Sequence, residues 1–214
     1  MTGKRENERD ATVISEGLLQ KSINTLLIIL TKFLSGLVVR AQYRVKREGL
    51  EQLPTGSAFV LLPKHQRWLD IPLIGWATPR PLYYMAKYEL FANPLAGWYL
   101  SAIGGIPINR AKPLASRRSL LRMFAQLNRN VGIVIFPEGT YYHNRVGRGR
   151  AGLIKMIRAR LNVPFVPVGI RYEERKGRGM LKIKFGKPMQ PEADVTTELF
   201  LEKIMKEIAI LSEL

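Results

Sequence analysis

Four short apolar runs limit what this chain can fold into. AFVLLP (58–63), LYYMAK (82–87), GIVIFP (132–137) and FVPVGI (165–170) are strand-length and mostly apolar at both parities, so each needs cover on two faces. Between them lie segments of helical character: IPLIGWA (71–77), NPLAGWYLSAI (93–103), LASRRSLLRMFAQLNR (114–129) and AGLIKMIRAR (151–160). Strands separated by helices imply an α/β domain, a mixed, largely parallel sheet flanked by helices. LKIKFG (181–186) alternates basic and apolar residues and predicts a half-exposed strand. A closing helix over roughly 195–213 takes Asp194 as its cap.

The N-terminal part follows another rule. Residues 1–12 are polar and charged, which predicts a frayed tail, and they lack the basic start and apolar core of a cleaved signal peptide. In SINTLLIILTKFLSGLVV (22–39), Ile23, Leu26, Leu27, Ile29, Leu30, Phe33, Leu34, Leu37 and Val38 share one helical face. Asn24, Thr25, Thr31, Lys32, Ser35 and Gly36 gather on the other, with Ile28 and Val39 outside the pattern. A spanning helix wants ~20 nearly uninterrupted apolar residues, and Lys32 interrupts this one. An amphipathic, membrane-associated helix lying in one leaflet is the leading expectation. A helix packed on the core and a true span are the alternatives. The division expected is 1–45 for the tail and membrane segment and 46–214 for the folded domain.

Charge supports an anionic partner. Lys and Arg number 34 against 17 Asp and Glu, a net charge of +17, which suits nucleic acid or an anionic bilayer. The basic residues are not interleaved with aromatics as a base-stacking platform requires, so nucleic acid is not expected. The chain has no cysteine, which excludes disulfides, thiolate metal sites and a cysteine nucleophile. Its two histidines, His65 and His143, are far apart in sequence, which argues against a zinc centre.

Four places could carry chemistry. In LLPKHQRWLDIPL (61–73), a strand ends at Pro63 and Pro72 fits the first turn of the next helix. His65 then lies in the connecting loop and Asp70 near the helix start. The carboxylate can turn back, fix the imidazole tautomer and stabilise the imidazolium of a general base; equally, Asp70 can serve as a helix cap beside a loop histidine. GIVIFPEGTYY (132–142) delivers Glu138, Gly139 and Thr140 at the carboxyl end of a strand, the edge where open α/β sheets bind ligands. GGIPINR (104–110) ends in Arg110, able to make a bidentate phosphate contact or to sit solvated. Lys87 leaves the end of LYYMAK, with the same two readings.

One match misleads. Gly147, Gly149 and Gly152 fit a dinucleotide-binding G-x-G-x-x-G pattern, and Glu173 and Glu174 follow about 20 residues on. No strand leads directly into the glycines and the loop is full of arginine, so an anion-gathering loop fits better than a nicotinamide site.

In this order and spacing, the four places resemble the glycerolipid acyltransferases of the 1-acyl-glycerol-3-phosphate acyltransferase type. His65 and Asp70 match that family's histidine and aspartate separated by four residues. GGIPINR matches its glycine-rich stretch ending in arginine, Phe136–Thr140 its Phe-Pro-Glu-Gly-Thr block, and VPFVPVGI (163–170) its proline-bearing strand. The resemblance covers about residues 20–190. It implies transfer of an acyl chain from a thioester, on coenzyme A or acyl carrier protein, to a lysolipid hydroxyl, with no cofactor. His65 would be the general base oriented by Asp70. The resemblance also assigns Lys87, Arg110 and Glu138-Gly139-Thr140 to the acceptor's phosphate end, with Glu138 expected to hold a cation or backbone group.

The chain departs from the family pattern in three places. Lys64 stands where Asn is common, Arg67 where Ser is common, and Tyr141 where Arg is usual. Lys64 and Arg67 add charge that suits an anionic acceptor, so Arg67 joins the expected substrate-binding residues. The acceptor is expected to be 1-acyl-glycerol-3-phosphate, giving phosphatidic acid, with another lysophospholipid or an amine-bearing lipid as the alternative. The expected setting is the cytoplasmic face of a membrane, against an anionic leaflet.

Overall fold

A computed structural model of the protein describes residues 2–109, 116–192 and 194–214, with side chains from residue 20 onward. Its strands are β1 (Tyr43–Glu48), β2 (Phe59–Pro63), β3 (Leu82–Lys87), β4 (Gly105–Ile108), β5 (Gly132–Val134), β6 (Phe165–Glu173) and β7 (Gly179–Phe185). They form one sheet in the order β1-β7-β6-β2-β5-β3-β4. Neighbours are parallel except β6 and β7. The helices are α1 (Thr2–Gln42), α2 (Asp70–Ala77), α3 (Pro94–Ala102), α4 (Arg117–Asn128), α5 (Gly152–Arg158) and α6 (Thr197–Leu211). The expected mixed, largely parallel α/β architecture is the one found.

The central strands are apolar at both parities because each parity enters a different core. Val60, Leu62, Ile133 and Ile135 pack with α4, α5 and α6. Phe59, Leu61, Val134 and Phe136 pack on the opposite face with α2. Each fully buried Leu, Ile or Phe contributes about 1.5–3 kcal/mol, so two-sided burial at the centre fixes these strands strongly. β7 alternates buried and half-buried residues, as its pattern implies.

Both edge strands lie outside the four apolar runs. β1, YRVKRE, has Val45 as its only aliphatic residue, and its cations suit an edge that must not pair with another chain. β4, GIPI, contains Gly105 and Pro107, which argue against a strand anywhere but an edge. Three details also differ from expectation. The ladder of β5 stops at Val134 rather than Pro137. The cap of α6 is Thr196, whose hydroxyl accepts from the Leu199 amide at 3.3 Å, and not Asp194. The N-terminal residues expected as a frayed tail belong to α1, which begins at Thr2.

α1 lies the opposite way round from a core helix. Its polar, small-residue side faces the protein: Thr31 shares a 2.7 Å hydrogen bond with Tyr99, Lys32 donates to the Thr78 carbonyl at 2.6 Å, and Ser35 and Gly36 are buried. A Cβ on Gly36 would fall inside the Trp76 indole, so glycine is what lets α1 and α2 approach. Leu26, Ile29, Leu30, Phe33, Leu34, Leu37 and Val38 face outward, with Leu26 and Phe33 each 66% exposed. The interrupting charge of Lys32 is thus turned into the protein, where burial lowers its proton affinity. Residues Gln20–Gln42 are long and apolar enough to cross a membrane.

Candidate active site

Parallel pairing sends the carboxyl ends of β2, β3, β4, β5 and β6 to one edge of the sheet. β6 runs past β2: Pro63 pairs with Val168, and β6 continues to Glu173. The loop 64–69 lies along that overhang. Lys64 N donates to Val168 O at 2.8 Å, and Gln66 Nε2 to Ile170 O at 2.7 Å.

Asp70 is fully buried at the first turn of α2, yet the cap position belongs to Leu69. Its carboxylate turns back into the loop. Oδ2 accepts from Gln66 N at 2.5 Å and Arg67 N at 2.7 Å, and lies 3.1 Å from His65 Nδ1; Oδ1 accepts from Tyr172 OH at 2.7 Å. These partners meet both oxygens of a buried group that would be costly to leave unpaired. The His65 ring stacks on Phe136 with centroids 3.9 Å apart, and Tyr141 meets it edge-on at 4.4 Å. The arrangement can hold an imidazole in one tautomer with Nε2 as the remaining nitrogen.

Lys64 and Glu138 form the second half of the site. Lys64 is 0% exposed, and its ammonium donates to both Glu138 oxygens (3.0 and 2.8 Å) and to the carbonyls of His65 (3.0 Å) and Tyr142 (2.8 Å). Glu138 accepts further bonds from His65 N at 2.9 Å and Gly147 N at 2.6 Å. Burial pulls the Lys64 ammonium below the usual lysine value, while the Glu138 carboxylate opposes the shift. This internal pair joins the histidine loop to the Phe-Pro-Glu-Gly-Thr turn, and the Tyr142 amide closes the junction on His65 O at 2.9 Å.

The cations flanking His65 therefore do not form a positive mouth. Lys64 is neutralised by Glu138. Arg67 is paired with Glu174 at 2.7 Å, bonded to Tyr43 OH at 2.9 Å, and stacked over the Tyr172 ring at 4.4 Å. Gly139 adopts φ +71° and its amide bonds Phe136 O at 3.1 Å, making the turn that leaves Thr140 exposed. Lys87 is exposed at the end of β3, two strands from β2 along the same edge. Arg110 lies outside the described residues. A cavity of about 200 Å³ opens beside the turn, lined by Ile108, Leu120, Ile135, Leu153, Met156 and Phe136, the ring that stacks on His65.

Tyr172 was missed because it belongs to no motif. One signal was available: it shares strand parity with Val166, Val168 and Ile170, so it must enter the same core as Asp70's helix.

Comparison with known proteins identifies the family and the fold. The family model described as acyltransferase matches residues 44–171, and the chain belongs to that family. It is therefore an acyl-transferring enzyme. The 1-acyl-sn-glycerol-3-phosphate acyltransferase of Bacillus subtilis is 32% identical over 68% of this chain and 73% of its own. The enzyme of that name from Streptococcus pneumoniae is 26% identical over 86% of this chain and 68% of its own. The lyso-ornithine lipid O-acyltransferase of Pseudomonas aeruginosa is 36% identical over 50% of this chain and 41% of its own. The crystal structure of the 1-acyl-sn-glycerophosphate acyltransferase from Thermotoga maritima shares the fold, with a TM-score of 0.67 at 22% identity over 96% of this chain and 86% of that one.

Proposed function

We propose that the enzyme transfers a fatty acyl chain from a thioester on coenzyme A or acyl carrier protein to the free hydroxyl of 1-acyl-glycerol-3-phosphate, giving phosphatidic acid. The observation that carries the reading is the His65–Asp70 contact at 3.1 Å, with a wholly buried carboxylate at the ligand-binding edge of the sheet. The names of the Bacillus and Streptococcus relatives support the acceptor. With Nδ1 held by Asp70, Nε2 takes the proton of the attacking hydroxyl. A C–O bond forms at the thioester carbonyl carbon, the C–S bond breaks, and the imidazolium returns the proton to the leaving thiolate. Asp70 stays ionised throughout and stabilises the imidazolium. The donor is a substrate, so the cycle needs no cofactor.

Lys87, Arg110, Gly139 and Thr140 are assigned to the acceptor's phosphate. Lys87, Gly139 and Thr140 leave the same sheet edge as His65, which supports the grouping. Glu138 and Arg67 are assigned to holding the loops, since their charges are already met by Lys64 and Glu174.

We further propose that α1 lies in one leaflet of an anionic membrane, on its cytoplasmic face. Protein packs along α1 from Thr31 to Arg40, where Arg40 sits over Trp76, so a span would drag α2 and α3 into hydrocarbon. Exposed Trp68, Ile71, Leu95 and Trp98 suit shallow insertion instead.

A second acceptor class is favoured by the charge balance around His65 and by one relative's name. Lys64 and Arg67 are neutralised internally and Tyr141 replaces the usual arginine, which lowers the demand for a phosphomonoester; the Pseudomonas relative's name concerns a lyso-ornithine lipid. A lysolipid panel with acyl-CoA and acyl carrier protein donors decides the matter. Lysophosphatidate should be preferred over lysophosphatidylcholine, and Arg110→Ala should erase most of that preference, at about 1.5–3 kcal/mol per lost charge-assisted hydrogen bond. Equal kcat/KM for the two acceptors, indifferent to Arg110→Ala, would favour the second reading. His65→Ala should lower kcat by ~10²–10⁴ with the fold intact; near-normal turnover would remove His65 as the base.

A further inference from the structure

The Asp70 carboxylate is held unequally at its two oxygens. Oδ2 gathers the imidazole and two loop amides, whereas the partner of Oδ1 is a phenol, Tyr172 OH at 2.7 Å. The phenol ring is fixed from two sides. The Arg67 guanidinium lies 4.4 Å above its centroid and Tyr43 meets it edge-on at 5.3 Å. Tyr172 is 6% exposed and sits on the overhang of β6, so it approaches from the sheet while the loop amides approach from the chain itself. Burial, and then the adjacent Asp70 charge, raise its proton affinity, which keeps the hydroxyl a donor throughout the working pH range.

We propose that Tyr172 is a positioning residue for acyl transfer, clamping Oδ1 so that Oδ2 faces His65 and setting how strongly Asp70 holds the imidazolium. The inference rests on the assignment of His65 as the general base. A donor on Oδ1 draws charge from the carboxylate and weakens its grip on the ring; a missing donor does the reverse and also frees the carboxylate to rotate. The other titratable groups around the pair are the Lys64–Glu138 ion pair behind the His65 main chain, Tyr141 at the ring edge, and Arg67, Glu174 and Tyr43 around the phenol. Tyr43 bonds Arg67 and Glu174, so it provides a control of the same type in the same cluster.

The test uses the full chain in lipid vesicles. Tyr172→Phe keeps the ring and removes the donor. It should lower kcat about ten- to a hundredfold through misplacement of the base, with KM for donor and acceptor nearly unchanged. The acid limb of its kcat/KM profile should move to higher pH. A 3,5-difluorotyrosine at position 172, a stronger donor of nearly the same shape, should move that limb to lower pH. Tyr43→Phe should leave the limb in place. The proton on His65 Nδ1, observed by NMR, gives a readout independent of turnover and should move further downfield in Tyr172→Phe. A wild-type kcat and limb in Tyr172→Phe, or a limb that moves the same way in both replacements, would overturn the proposal. If Tyr172→Phe fails to fold, the fluorinated protein decides alone: an unmoved limb and Nδ1 resonance overturn it. His65→Ala is assayed in parallel. Turnover surviving there removes the base assignment, while the Nδ1 resonance still reports whether Tyr172 governs the Asp70–His65 bond.

Discussion

Lys64 shows how a single residue's chemistry depends on where its chain end goes. Beside a histidine in sequence it looks like a cation offered to substrate; in the folded protein it is a buried strut with four acceptors. Replacing Lys64 with Met strands Glu138 as an uncompensated buried carboxylate, at a cost of about 3–5 kcal/mol. Adding Glu138→Gln to that variant should recover a large part of the loss, because no buried charge then remains unmatched. Chemical denaturation measures both, and a single variant as stable as its parent would show that the pair does not bear on folding. His143, exposed in the loop beyond the Phe-Pro-Glu-Gly-Thr turn, makes the contrast. His143→Ala should leave kcat and stability within experimental error, measured beside His65→Ala.

At the scale of elements, α1 is the case where pattern and orientation separate. Two substitutions interrogate its two sides independently. Gly36→Val drives a branched side chain into the Trp76 indole and should cost about 1–3 kcal/mol of overpacking, seen as a lower melting temperature. Vesicle flotation should survive it, since the outward face is untouched. Leu30 and Phe33 together replaced by Asp should do the opposite, abolishing flotation on anionic vesicles with little loss of fold, because both side chains lie more than half exposed. Flotation unchanged by the aspartates would return α1 to the role of an ordinary surface helix. The central strands were readable as short, nearly unbroken apolar runs because both parities are buried, and two faces of cover are what a parallel sheet demands. The edge strands were not, since an edge strand needs few apolar residues and tolerates the proline and cations that interior strands exclude.

The whole molecule carries +17, and with Lys64, Lys32 and Arg67 turned inward that excess resides on the remaining surface cations. Each Lys or Arg close to an anionic bilayer adds about 1 kcal/mol, screened within a Debye length of ~10 Å at 0.1 M salt. Binding to anionic vesicles should therefore fall steeply as salt rises, down to a residual level set by the apolar face of α1, whereas binding to zwitterionic vesicles should start at that lower level and change little. Cosedimentation across a salt series measures this. Equal salt dependence on the two vesicle types would show that the charge serves something other than the leaflet.

Much of the site was legible in sequence because its parts are local. His65 and Asp70 are five residues apart, Glu138, Gly139 and Thr140 are consecutive, and each block follows a strand whose apolar run announces it. A parallel α/β arrangement then brings strand ends to one edge, so these blocks meet without any long-range detail being known. What only the tertiary structure decided are the pairings between distant residues: Lys64 with Glu138, Arg67 with Glu174, Asp70 with Tyr172, and the side of α1 that touches the domain. A sequence states which charges exist and their local spacing, but neutralising a charge or aiming a carboxylate depends on partners 70 to 110 positions away. Those partners become neighbours only once β6 overhangs β2 and the loops fold down against it.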